Sequence, residues 1–82
     1  VSTFIYTKKM GKPLRSGGRI LTFTVYRLQG AKRPKLIGET RANTGSYKGD
    51  SGHVSNFIAK KMGYRCTDGY FIDRKDVMIY EV

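Results

Sequence analysis

The chain has 82 residues, 16 Lys or Arg against 6 Asp or Glu, a net charge of +10 and 39% hydrophobic residues. That length bounds it to a single domain, 1–82, with one small core, and a single cysteine, Cys66, excludes an internal disulfide or a multi-cysteine zinc site. The longest uncharged apolar stretch, residues 20–26, is far short of the roughly 20 residues of a membrane helix, so a cytoplasmic protein in a reducing compartment is expected, with no leader and no membrane contact.

In chain order, Phe4, Ile5, Tyr6 and Thr7 predict a first strand. Residues 11–18, with a proline and three glycines, predict a loop. Residues 19–28 carry the strongest strand pattern. Leu21, Phe23 and Val25 fall on one side, flanked by Arg19 and Arg27, and Ile20, Thr22, Thr24, Tyr26 and Leu28 on the other. The first set gains most from burial and predicts the core face; the second tolerates water. A turn over residues 29–34 leads to a short strand from 35 to about 41.

One helix follows. Asp50 or Ser51 is placed to cap its start, Val54, Phe57, Ile58 and Met62 recur at helical spacing, and Gly63 stands where a left-handed residue ends a helix. Lys60 and Lys61 suit the negative end of its dipole. The stripe predicts core packing and not a ligand site. Residues 70–72 and 77–82 read as strands joined by a turn over 73–76. The fold class is therefore α+β: a small antiparallel sheet in the order β-β-β-α-β-β, with the helix on one face.

Charge is distributed unevenly along this order. Residues 1–38 hold nine bases and no acid, whereas residues 39–82 hold seven bases and six acids. Lys8, Lys9, Lys12, Arg15, Arg19, Arg27, Lys32, Arg33 and Lys35 thus belong to strands and hairpin tips without local neutralisation, and Arg41 and Lys48 extend the set. Such a field attracts a polyanion. Only one helix is visible, so helix-turn-helix docking is excluded. No zinc-finger spacing, RNA-recognition-motif signature or phosphate-loop motif is present.

Basic hairpins on a sheet suit the phosphate backbone of nucleic acid, with RNA favoured slightly over DNA. Tyr6, Tyr26 and Tyr47 lie among these bases as candidate stacking rings or as a roof over the core. The Tyr47 and Lys48 loop enters the helix, where an anion is favoured. The expected site is Lys8, Lys9, Lys12, Arg15, Arg19, Arg27, Lys32, Arg33, Lys35, Arg41, Tyr47 and Lys48.

No catalytic or metal site and no cofactor is expected. His53 is the single histidine; a small ribonuclease built on His53, Tyr47 and Lys48 is conceivable but would lack a second histidine. Asp68, Asp73 and Asp76 supply too few converging oxygens for a hard cation, and Cys66 has no partner base. The competing class is an inhibitor of phage or mobile-element type. Its basic face would engage a host nuclease, toxin or defence complex, that is, an acidic or nucleic-acid-containing protein assembly.

Overall fold

Residues 19–29 are the spine of the fold, and their strict alternation explains why. Leu21, Phe23 and Val25 are buried at 1%, 0% and 0% exposure, while Ile20, Thr22, Thr24 and Tyr26 on the opposite side stay half-buried. This computed structural model describes residues 2–47, 49–64, 66–67, 71–72 and 77–82. Its elements are β1 (Ser2–Pro13), β2 (Arg19–Gln29), β3 (Lys32–Asn43), α1 (Asp50–Met62), β4 (Cys66–Thr67), β5 (Phe71–Ile72) and β6 (Val77–Glu81). Four of them form one sheet in the order β3-β2-β1-β6; β4 and β5 pair with each other.

The α+β class and the helix on one sheet face stand, with three corrections to the strands. The sheet is mixed, because β6 runs parallel to β1, pairing Phe4 with Ile79 and Tyr6 with Glu81. A parallel neighbour requires a long crossover, and the chain returns to β1 only after α1, so the direction is set by the helix and not by a hairpin. The strand order also gains β4, and the expected strand at β5 pairs with it, apart from the four-stranded sheet. In addition, β1 continues through Lys8, Lys9 and Met10, which pair with Phe23, Thr22 and Leu21. Cross-strand pairing there outweighs the low strand preference of lysine and glycine. Tyr70, the turn at 73–76, Lys48, Asp68, Asp73, Asp76 and the Cys66 side chain lie outside the described residues.

Helix α1 follows from its own sequence. Gly49 is the N-cap, with no side-chain cap, so Asp50 is the first helical residue and not the cap. At the other end Gly63 adopts φ 73° and closes the helix, its N–H and that of Tyr64 donating to the Ala59 carbonyl. Gly52, Val54, Ser55, Ile58 and Ala59 face the sheet and are buried. Small residues at 52, 55 and 59 let the helix lie close, and Val54 and Ile58 fill the space over Phe4, Tyr6, Phe23, Val25 and Val77.

Phe57 and Met62, expected in the same stripe, sit at its half-buried rim. The Phe57 ring lies over Gly38, where a β-carbon would approach Cζ to 2.9 Å. A shift in the register of β2 against β3 between Val25 and Tyr26 admits Ile37 as an extra residue, and Ile37 also packs on the core.

Phe23→Ala should cost about 3–5 kcal/mol, as a fully buried ring does, and Phe57→Ala distinctly less. Gly38→Ala should destabilise by about 1–3 kcal/mol through overpacking against the ring, with a further cost from a backbone φ of 158° that suits glycine, and only the overpacking share should vanish when Phe57 is also Ala. Denaturant melts of the four proteins check this double-mutant cycle. A Gly38→Ala cost that is the same with and without the ring would place the whole constraint in the backbone.

Candidate nucleic-acid interface

Alternation along three strands sends the basic residues to three different places. Lys12 at the end of β1, Arg15 in the turn and Arg19 at the start of β2 form one hairpin tip. Arg27, Lys32, Arg33 and Lys35 form the other, where β2 turns into β3. The two tips lie at opposite ends of β2, roughly 35 Å apart at 3.3 Å per residue, within a molecule whose longest extent is 42 Å. Lys9 and Arg41 lie between them on the face away from α1, in one cross-strand row with Thr22.

Lys9, Lys12, Arg15, Lys32, Arg33 and Lys35 are exposed and form no ion pair among the described residues. The Arg19 guanidinium donates to the Met10 sulfur at 3.5 Å, and that of Arg27 to Ser2 Oγ at 3.3 Å. Arg41 approaches Glu39 at 3.8 Å, with both side chains largely in solvent, a contact of little energetic weight.

Lys8 and Tyr47 have a different occupation. Lys8 Nζ donates to Asp50 Oδ2 at 2.8 Å and lies 3.8 Å from Glu81, and Tyr47 Oη donates to Asp50 Oδ1 at 2.9 Å. The Tyr47 ring packs against the core. At the helix entrance, where an external anion was expected, the Asp50 carboxylate itself complements the dipole. This cluster therefore fastens α1 to β1, and neither residue stands ready for a ligand. Tyr6, a candidate stacking ring by sequence, is buried at 5% exposure edge-on to Phe23 at 5.7 Å.

His53 is likewise occupied. Its Nε2 lies 3.2 Å from Thr40 Oγ1, and its ring lies 5.8 Å from that of Phe23, beneath the helix. Among the described residues no group of three or more His, Cys, Asp or Glu converges, and no helix is long and apolar enough to cross a membrane.

Tyr26, a candidate stacking ring by sequence, lies on the sheet face away from α1, and Leu36, Met78 and Tyr80, which the sequence did not single out as site residues, complete it. Tyr80, Ile5, Tyr26 and Leu36 are paired successively across all four strands, so they form one row on the side away from α1. Met78 lies beside Thr3 on the same side. Tyr80, Leu36 and Met78 are 48%, 60% and 43% exposed. The signal for Met78 and Tyr80 was the alternation in residues 77–81, where the inward partners are buried Val77 and half-buried Ile79.

The Asp50 cluster makes stability depend on pH at both extremes. Partial burial acts to raise the Asp50 carboxyl, but hydrogen bonds from Lys8 and Tyr47 and the Lys8 charge overcome it and hold the group below its ordinary 3.8. A depressed acid stabilises the fold above its unfolded value, and that contribution is lost as pH falls through the folded one. Lys8 is raised above 10.5 by its hydrogen bond to Asp50 and then by the Asp50 charge, and Tyr47 above 10.0 by its own bond to Asp50 and then by burial. Raised groups stabilise below their unfolded values and cease to do so as pH climbs through the folded ones. Asp50→Asn should lower stability most between about pH 4 and 10 and flatten both the acid and alkaline limbs of a melting-temperature profile. An unchanged profile would contradict the tether.

No family model matches the chain, and no curated protein or solved structure shows significant similarity to it.

Proposed function

We propose that the protein is a non-enzymatic nucleic-acid-binding domain that holds the phosphate backbone through its two hairpin tips, with RNA favoured slightly over DNA. The observation that carries this reading is the set of exposed cations that form no ion pair among the described residues, Lys12 and Arg15 at one tip and Lys32, Arg33 and Lys35 at the other. Cations with no internal acid are the groups that release counterions from a polyanion. A nucleic acid touching both tips runs along the strands for roughly 35 Å, about ten stacked nucleotides at 3.4 Å each. The helix face takes no direct part: its acids are used internally, and the single histidine is bound to Thr40.

Binding of a labelled single-stranded RNA should weaken by more than tenfold between about 50 and 200 mM salt. Replacing Lys12, Arg15, Lys32 and Arg33 by Ser should nearly abolish binding at the higher salt and reduce the salt slope. Replacing Lys60 and Lys61 on α1 should do much less. Fluorescence anisotropy measures each. A flat salt response, or losses that track net charge alone, would contradict the assignment of the tips, and cleavage of the RNA in chelator that disappears with His53→Ala would contradict the non-enzymatic reading.

A further inference from the structure

We infer that the face of the sheet away from α1 receives the unpaired bases of a single-stranded nucleic acid, stacking them against Tyr26 and Tyr80 while Lys9 and Arg41 meet neighbouring phosphates. This deepens the proposed function and rests on it: the tips provide grip on any phosphate backbone, and the face selects an unpaired strand.

The placement follows from register. Tyr80, Ile5, Tyr26 and Leu36 form one row, Thr7, Thr24 and Glu39 the next, and Lys9, Thr22 and Arg41 the one after. Tyr26 and Tyr80 flank β1 and are two strand spacings apart, roughly 10 Å, with Ile5 between them. The basic row lies four residues along the strands, roughly 13 Å away. A base stacked in the aromatic row therefore places phosphates of adjoining nucleotides near Lys9 and Arg41. Thr3, Thr7, Thr22 and Thr24 lie on the same face, and their hydroxyls can donate to or accept from base edges.

Three observations select this occupant. The face carries Lys9 and Arg41 against Glu39 alone among the described residues and lies between the two basic tips, so its charge complements a polyanion. A second copy would bring another +10 against it. Rows of threonine interrupt the apolar row, which suits bases with polar edges better than a dry aliphatic partner. A duplex, whose base faces are already stacked on each other, cannot use the rings at all.

The test uses the full chain and a fluorescein-labelled oligouridine of about 12 nucleotides, within the usual span of single-strand sites. At about 150 mM salt the oligouridine should bind at least tenfold more tightly than duplex RNA of equal length. Tyr26→Leu with Tyr80→Leu should lose roughly tenfold per ring, leave the salt slope unchanged and leave duplex binding unaltered. Tyr26→Phe with Tyr80→Phe, which keeps both rings, should bind nearly as the unaltered chain does. Circular dichroism checks folding; Tyr80→Leu alone, at a 48% exposed position on an edge strand, decides the matter should the double Leu variant unfold. If single-stranded and duplex RNA bind equally and the Leu variants bind normally, the tips retain their role and the base-stacking face is overturned. If neither RNA binds, the proposed function falls with it.

Discussion

The structure depends on a constraint of coverage: one 13-residue helix must roof a four-stranded sheet. At 1.5 Å per residue α1 is roughly 20 Å long, against roughly 35 Å for β2. The core consequently gathers where the helix lies, over Phe4, Tyr6, Leu21, Phe23 and Val25, and the least extent of the molecule is only 16 Å. Beyond the helix the strands extend as exposed hairpin arms, and the opposite face of the sheet has no described element over it. Ile5, Ile20 and Tyr26 on that face are correspondingly half-buried among the described residues.

Charge is arranged around the same constraint. Asp50 and Glu81 are directed at Lys8, Asp50 securing the helix and Glu81 approaching from β6, and Glu39 is left beside Arg41 at the surface. No acid reaches the hairpin tips among the described residues. A domain of +10 would suffer from its own repulsion if those cations were gathered in one patch. Placing them at the two ends of the sheet separates them by roughly 35 Å, several times the screening length of about 8 Å at physiological ionic strength. The fold thus tolerates an excess of positive charge while presenting it at two points along a single line.

Much of this was legible in the sequence because alternation in β2 and helical spacing in α1 each correspond to one buried face. Leu21, Phe23, Val25, Val54 and Ile58 fall in the core as their patterns indicate. Local pattern could not show that β6 lies parallel to β1, since strand direction depends on the path of the intervening chain. Nor could it show that Phe57 stops at the rim, because that depends on the missing side chain of Gly38 across the interface. For the candidate site, the basic residues were visible by composition. Their division into two tips, and the engagement of Lys8 and Tyr47 by Asp50, arise from contacts distant in sequence. The row of Tyr80, Ile5, Tyr26 and Leu36 joins four strands, so no single segment announces it.

The central claim is that the sheet face away from α1 and the hairpin tips meet the ligand while the helix serves to hold the sheet. Amide chemical-shift mapping of the isotopically labelled chain, titrated with oligouridine at physiological salt, tests it most directly. The account predicts that perturbations concentrate at Ile5, Lys9, Thr22, Tyr26, Arg41 and Tyr80 and at the tips around Arg15 and Lys32, with Val54, Ile58 and Ala59 unmoved. Perturbations centred on α1, or none at all at saturating RNA, would contradict it.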